Sequence, residues 1–304
     1  HLNLDYLMII KFDNDIKTDF EGYQKLIDLG HKAKNSSDKI ITFDFSNVYF
    51  FEANLCAVLG TIVEILETHG KEIKFVNFTN KVETILRKNE FLLPYDYGKI
   101  DDRYATSITY QKFNPMNKDE DDMFENYIKE QLLSKSDFPS HSKLLGKHIT
   151  LRIFELYENA RTHGSCHYIH ACGQYFPKKS EKPLNVTIVD TGKNFQENVS
   201  DFFKKNISAI EAIEWAMQDG HTTKTGDISG GLGLDLIFQF IKHNKGKIQI
   251  ISADGFWEWH RGTATKKTLN NPFNGTIANL RFNLNDTSHY SLKSEAENDD
   301  WNKF

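Results

Sequence analysis

The chain has 304 residues, of which 39% are hydrophobic, enough for a full hydrophobic core and, by length, for two domains. A net charge of −5 at pH 7 gives no overall reason to expect binding to nucleic acid. Three Cys residues are too few for a disulfide framework and fit a reducing compartment. Because no stretch approaches the ~18 apolar residues of a membrane span and no signal-peptide pattern is seen, the sequence predicts a cytoplasmic protein.

Residues 5–93 alternate between short apolar runs and segments with apolar residues at helical spacing. The runs predict strands and the periodic segments predict helices. In chain order the six segments are 5–12, 18–34, 39–51, 52–70, 71–78 and 80–92. Alternation of this kind predicts a mostly parallel sheet covered by helices.

The segment FDFSNVYFFEANLCAVLG (43–60), in which a strand runs into a helix, resembles the STAS domains of anti-anti-sigma factors. In that family the turn carries Asp-Ser-Ser-Gly, and one serine accepts a phosphoryl group. Here the turn, residues 52–55, has Ala53 and Asn54 at the serine positions, so no hydroxyl remains. The resemblance implies a STAS-like domain over 1–98 that acts in docking or dimerisation.

Residues 99–118 predict a linker because they are aromatic and polar, although SITYQKF within them has a strand-like pattern. A helix is predicted at 119–135, whose acidic start suits the helix dipole. The acidic residues 288–304 predict a frayed tail. The basic runs at 242–247 and 260–267 are typical of solvated loop ends.

Residues 145–163 predict a helix with two different faces. The apolar stripe consists of Ile149, Ile153, Leu156 and Ala160. On another face Glu155, Asn159 and His163 recur every four residues. By itself this pattern is equally typical of a helix with an idle, solvated polar face.

The segment LNVTIVDTGKNF (184–195) predicts a strand that ends at Asp190, just before Gly192. A carboxylate at this place accepts a hydrogen bond from the exocyclic amine of adenine and repels the carbonyl that guanine has there. The alternative is an ordinary Asx-Gly turn.

Two further glycine-containing segments follow. Gly230, Gly231 and Gly233 precede an apolar helical run, and backbone N–H groups in such a turn approach phosphate oxygens closely. No Gly-Lys-Ser/Thr follows them, so this is not a P-loop. The strand predicted at 271–284 is entered through Gly275 and Thr276, and the Thr276 hydroxyl is a candidate to face the base.

Together these four segments resemble the ATP-binding domain shared by gyrase B, the heat-shock chaperone, mismatch-repair ATPases and histidine kinases, the GHKL ATPases. ELYENA matches the Glu-x-x-x-Asn box, and DTG, GGLGL and NGT match the three glycine motifs. The stretch ELYENARTHG is most similar to anti-sigma-factor serine kinases and histidine-kinase-type domains. The resemblance covers 145–285 and implies an α/β two-domain protein. Its second domain, 119–287, would be a Bergerat-type sandwich, a mixed sheet with helices on one face.

The resemblance also implies a Mg-ATP site. Asn159 would bind Mg²⁺ through its amide oxygen, and Glu155 would orient or deprotonate the attacking group. Asp190 would recognise adenine beside Gly192, with Thr276 in support. Phosphates would be cradled by Gly230, Gly231, Leu232 and Gly233. The γ-phosphate would be met by Lys224, with Arg161 and His163 as further candidates.

One departure from the family concerns its second glycine, which is replaced by Asn194. Asn tolerates the left-handed backbone better than most residues, so we expect Asn194 to keep a stiffer hinge. The stretch 193–229 resembles the ATP lid of the family. We expect its exchange of amide hydrogens to depend on the nucleotide.

A zinc site is the competing interpretation of HGSCHYIHAC (163–172). Cys166, His170 and Cys172 would share one face of a strand predicted at 165–176. On a straight strand Cys166 and His170 would be ~13 Å apart, whereas zinc ligands lie within ~2.3 Å of one ion. The geometry of a strand therefore argues against zinc.

Two functions follow from the resemblance. The first is a slow ATPase whose nucleotide state controls a protein-interaction surface, in a bacterial regulatory or defence system with a protein partner. The alternative is a serine/threonine kinase that acts on a separate protein, and a homodimer is left open for both. A scaffold without catalysis is disfavoured by the presence of Glu155 and Asn159.

Overall fold

The computed structural model describes residues 6–162, 166–218 and 234–295, and its N-terminal part forms a three-stranded parallel sheet. The strands lie in the order β1 (Leu7–Lys11), β2 (Ile40–Asp44) and β3 (Glu72–Val76). The connections are α1 (Phe20–Asn35) and α2 (Cys56–Thr68), and α3 (Asn80–Lys88) follows β3. Because parallel neighbours are joined by right-handed crossovers, α1 and α2 lie on the same face of the sheet.

The ends of these helices are set by local residues. The Asp19 side chain caps α1 by accepting a hydrogen bond from the Gly22 N–H at 2.9 Å. A 3₁₀ turn, Ala53–Leu55, leads into α2. After α2, Gly70 has φ of +74°, a left-handed conformation that suits glycine just beyond a helix end.

The second sheet has five strands, all antiparallel to their neighbours, in the order β4-β6-β7-β9-β8. The strands are β4 (Ser107–Phe113), β6 (Ile169–Tyr175), β7 (Pro183–Asp190), β8 (Lys247–His260) and β9 (Thr263–Asn283). Two short strands, β5 (Ser140–His141) and β10 (His289–Tyr290), pair in parallel beside it.

One face of the five-stranded sheet packs against helices that follow β4 in the chain. These are α4 (Asp119–Tyr127), which continues as a π-helical stretch (Ile128–Leu133), α5 (Lys143–Thr162) and α8 (Leu234–His243). Two shorter helices, α6 (Phe195–Phe203) and α7 (Ala209–Ala216), lie toward β8. The core between these elements includes the strand residues Val186, Ile250 and Leu280, which alternate inward.

The opposite face of the five-stranded sheet is covered by α1 and α2. Cys172, Val189, Ile251 and Ile277 from this face share one hydrophobic core with the N-terminal sheet and its helices. The molecule is therefore a four-layer stack of sheet, helices, sheet and helices. The mixed α/β fold predicted from the sequence is confirmed at this level.

A buried hydrogen-bond network, which we call the interlayer network, joins the 3₁₀ turn before α2 to the five-stranded sheet. The Asn54 amide donates to the hydroxyls of Thr18 and Thr187 at 2.9 Å each. Thr187 donates to Asn279, and the Asn279 amide donates to Gln249, again at 2.9 Å. These side chains are at most 9% exposed. Polar groups buried this deeply are tolerated because each finds a partner.

Strand pairing accounts for the differences from the sequence-based expectation. The strand expected inside the linker is confirmed as β4, and it pairs with β6. The basic run at 260–267 is not a loop end but forms the turn and first residues of the β8–β9 hairpin. Arg261 and Gly262 at this turn both have positive φ, as tight hairpins require. In the described part of the expected frayed tail, β10 is tied to β5.

In the part of the chain that the structure describes, no helix combines the length and apolar character that a bilayer span requires.

We expect Asn54→Ala to lower the free energy of unfolding by about 2–4 kcal/mol, because it leaves the Thr187 and Thr18 groups buried without their partner. Urea denaturation followed by circular dichroism measures this change. Asn47→Ala is the matched control, since Asn47 is exposed on the same layer; it should change stability by less than about 0.5 kcal/mol. Equal midpoints for the Asn54 variant and the wild type would contradict a stabilising network.

Candidate functional site

Helix α5 presents Glu155 and Asn159 on a half-buried face. Its apolar stripe is buried as predicted, with Ile149 and Ile153 at 0% exposure. Glu155 and Asn159 are both of intermediate exposure, so solvent reaches them while the helix backbone is held in the core. Arg152 lies one turn earlier and donates from Nη1 to Oε1 of Glu155. This charge-assisted contact fixes the position of the Glu155 carboxylate.

Asp190 is the last residue of β7, and the turn that follows it packs directly against α5. Its Oδ1 accepts a hydrogen bond from the Gly192 N–H at 2.8 Å. A Cβ on Gly192 would lie 3.4 Å from Cα of Ala160, the residue that follows Asn159. The fold therefore brings the Asp190 turn against the Asn159 end of α5, although the two are distant in the sequence.

Burial raises the pKa of the Asp190 carboxyl to about 7, because the charged form is poorly solvated there. The hydrogen bond from Gly192 acts in the opposite direction but is the smaller effect. A carboxylate in this environment gains from any donor that approaches it. An exocyclic amine of a base is such a donor.

Thr276 lies beside Asp190 on β9, in register with it. Phe273 pairs with Ala253 while Thr276 pairs with the adjacent Ser252, so two residues of β9 leave the ladder as a bulge. One of them, Gly275, has φ of +130°, and a Cβ there would lie 2.0 Å from the Asp190 carbonyl oxygen. Only glycine fits this position. Bulges of this kind commonly adjoin functional sites.

The left-handed backbone expected at Asn194 is not adopted. Asn194 has φ of −79°, an extended conformation, and it caps α6. Its side chain accepts from the Glu197 N–H while Glu197 accepts from the Asn194 N–H, at 2.9 Å each. A capping box satisfies two backbone donors and leaves the Asn194 side chain 7% exposed. Within the described residues its contacts are structural.

Sequence reasoning missed Ser252, which anchors the start of α6, just after the Asp190 turn. Its hydroxyl accepts from the Phe195 N–H at 2.8 Å and is fully buried. Ser252 thus ties the start of α6 to β8 next to Thr276. No local signal in the sequence distinguishes it from other serines, because its role depends on which strand lies beside α6.

Several expected site residues lie outside the described residues. They are His163, Lys224, Gly230, Gly231, Leu232 and Gly233. The backbone of Arg161 belongs to α5, but its side chain also lies outside the description. The phosphate-binding and lid roles expected for these positions stay predictions.

The candidate zinc ligands His170 and Cys172 have other partners. His170 is 1% exposed, and its two nitrogens contact Glu64 at 2.8 Å and the Tyr110 hydroxyl at 2.9 Å. Burial lowers the pKa of the His170 imidazole, more than Glu64 raises it. The thiol of Cys172 accepts from the amide of Asn89 at 3.3 Å. Within the described ranges no cluster of three metal-binding side chains occurs.

Comparisons with known proteins identify no family for this chain. No protein-family model and no curated protein matches the sequence. Among solved structures, the chain is similar to the histidine kinase domain from the Erythrobacter litoralis EL346 blue-light activated histidine kinase. The identity is 12% over 87% of this chain and 95% of that chain, with a TM-score of 0.24. A similarity of this size carries no conclusion.

We expect Asp190→Asn to stabilise the protein at pH 8 by at most about 4 kcal/mol, since each pKa unit is worth about 1.4 kcal/mol. The folded-state pKa of Asp190 lies above its ordinary value of 3.8. The folded state therefore binds the proton more tightly than the unfolded state, and the wild type loses stability as pH rises from about 4 to 7. Asn does not titrate, so it removes this loss.

Urea denaturation of both proteins at pH 4.5 and pH 8 measures the difference. The gain should be largest at pH 8 and small at pH 4.5. Asp101→Asn is the control, because the Asp101 side chain is 84% exposed. A stability difference that is the same at both pH values would contradict the raised pKa.

Proposed function

We propose that the protein is a Mg-ATP-binding ATPase of the GHKL type, with a Bergerat-type nucleotide domain and a STAS-like layer, whose nucleotide state controls binding to a protein partner. The observation that carries the proposal is the meeting of three sequence motifs at one corner. Gly192 lies against Ala160, next to Asn159, and Gly275 lies against Asp190. The three segments are far apart in the sequence, and each has the residue types that the resemblance assigns to this site.

The base would be recognised by Asp190. In the charged form its carboxylate accepts a hydrogen bond from the adenine amine, and the poor solvation that raises its pKa makes this contact favourable. Guanine presents a carbonyl instead, which a carboxylate repels. Thr276, 6% exposed and in register with Asp190, would contribute its hydroxyl on the same side.

The residues of α5 fit a magnesium ion. Asn159 supplies a hard amide oxygen on a face that solvent reaches, which is a donor type that suits Mg²⁺. When bound, the ion would neutralise charge on phosphate oxygens. Glu155, held by Arg152, would orient a water molecule and accept its proton.

The STAS-like layer would act without being phosphorylated. Ala53 and Asn54, which stand where the resembling family has serines, are both 0% exposed. Asn54 is held in the interlayer network, and the Ala53 N–H donates to Gln174 at 2.6 Å. The lack of a hydroxyl at positions 53 and 54 and their burial both argue against a phosphoryl acceptor at this turn. A kinase activity would therefore need a hydroxyl elsewhere or on another protein.

We expect Glu155→Gln to bind Mg-ATP with nearly wild-type affinity and to lose turnover by about 10²–10⁴-fold, the usual contribution of a general base. Gln keeps an oxygen for Arg152 but cannot accept the proton. Phosphate release measures turnover, and calorimetry measures binding. Glu130→Ala, on the exposed side of the π-helical stretch, is the control.

Three outcomes test this assignment. Turnover unchanged by Glu155→Gln would place the base elsewhere, with Glu158 the next candidate. Normal Mg-ATP binding by Asn159→Ala would contradict the whole site. Transfer of labelled phosphate to a protein, with no free phosphate released, would favour the serine/threonine kinase instead.

We expect the wild type to bind ATP at least about tenfold more tightly than GTP, since a hydrogen bond to a charged group contributes about 1.5–3 kcal/mol. Asp190→Asn should bring the two affinities closer, because an amide serves as donor or acceptor and accommodates either base. Calorimetry at pH 8, where Asp190 is charged, measures both. Asp254→Asn is a control of the same type on β8. Equal wild-type affinities for ATP and GTP would contradict the role of Asp190.

A further inference from the structure

The bulge that adjoins Asp190 is held from its other side by helix α1. The carboxylate of Asp28 accepts from the side-chain amide of Asn271 at 2.9 Å and from that of Asn270 at 3.2 Å. One turn on, His31 Nε2 contacts the Pro272 carbonyl oxygen at 2.7 Å. Since a carbonyl only accepts, Nε2 carries the hydrogen. Three consecutive residues of β9 are thus fixed by two residues of α1.

The next residue of β9 is fixed by packing. Phe273 is 4% exposed and belongs to the hydrophobic core shared with α1 and α2. Helix α1 is itself held closely against α2, because a Cβ on Gly30 would lie 3.0 Å from the Ile62 side chain. Gly30 lies between Asp28 and His31 on α1. The helix therefore offers these two side chains from a rigid support.

Only two residues of β9 separate Phe273 from Thr276, which pairs with Asp190. Asn274 and Gly275 form the bulge, and Gly275 lies directly on the Asp190 carbonyl group. Any movement of β9 at 270–273 must therefore move Gly275 relative to Asp190, or shift Thr276 from its register. The Asp190 turn is in contact with α5 on its other side through Gly192.

We propose that Asp28 and His31 are positioning residues for base recognition: through Asn270, Asn271 and Pro272 they hold the bulge that aims Asp190 and Thr276. The N-terminal layer is in this way part of the nucleotide site without touching the nucleotide. This inference rests on the proposed function, which assigns adenine to this corner. Loss of the contacts should weaken binding of the base and leave binding of the phosphates unchanged.

The first test needs no nucleotide. Hydrogen exchange is compared between the wild type and Asp28→Ala, over peptides that cover 186–194 and 273–280. Loss of the two hydrogen bonds should speed exchange in both peptides about tenfold. Lys32→Ala is the matched control, since Lys32 is exposed on the same helix, and it should leave exchange unchanged. Asn271→Ala removes the stronger contact from the strand side and should reproduce the effect if Asp28→Ala fails to fold.

The second test measures binding of ATP, GTP and inorganic triphosphate by calorimetry. Asp28→Ala and Asn271→Ala should each bind ATP about three- to tenfold more weakly, with the preference for ATP over GTP reduced by a similar factor. Triphosphate affinity should not change. The double variant should be no worse than Asp28→Ala alone, because Asp28→Ala already removes the contact with Asn271. Asp28→Asn keeps one acceptor oxygen and should recover part of the preference.

The outcomes separate this inference from the function on which it rests. If the wild type binds neither ATP nor GTP, the proposed function is wrong, whatever α1 does. If the wild type prefers ATP and both variants keep that preference with unchanged exchange, the positioning role is overturned while the function stands. A variant that weakens ATP and triphosphate equally has a general structural effect, and this also overturns the role in base recognition.

Discussion

The structure depends on the burial of a polar sheet face. The side of the five-stranded sheet that meets α1 and α2 carries Thr187, Gln249 and Asn279, all of which are at most 1% exposed. Left without partners, such groups would cost several kcal/mol in total. Asn54 from the N-terminal layer donates to Thr187 and Asn279, while Gln249 donates to the Thr18 carbonyl and accepts from the Tyr23 hydroxyl of the same layer. Because hydrogen bonds are directional, they also fix one position of α2 on the sheet, which apolar packing alone would leave looser.

This fixed position decides the geometry of the candidate site. With α1 and α2 seated on the sheet, Asp28 and His31 reach β9 where it approaches Asp190. On the opposite side of the sheet α5 brings Ala160, and with it Asn159, against Gly192. The site is thus assembled from both faces of one sheet. Glycine is required at Gly275 because the two backbones come closer there than any side chain allows.

The same packing buries the turn at which the resembling family carries its phosphoryl acceptor. In the proposed STAS-like layer the turn at 52–55 is covered by the sheet, and its buried residues take part in the interlayer network. The layer is better suited to supporting the sheet, or to transmitting a change in structure to it, than to being phosphorylated at this turn. If α1 positions the base-recognising corner, as we propose, a partner bound to the N-terminal layer would act on nucleotide affinity, and nucleotide would act equally on the partner.

The sequence by itself determined the local elements and the chemistry of the candidate residues. Helical spacing predicted the buried stripe of α5, and the mixed α/β class followed from the alternation of strands and helices. The tertiary structure decided which faces meet. That His170 contacts Glu64 and Tyr110 and that Ser252 anchors α6 both depend on neighbours distant in the chain. The cap that Asn194 forms on α6 is local, since its partner Glu197 lies three residues further on. Periodicity shows that a face is polar or apolar, but hydrogen-bond partners are set by the packing of whole layers, which no local pattern encodes.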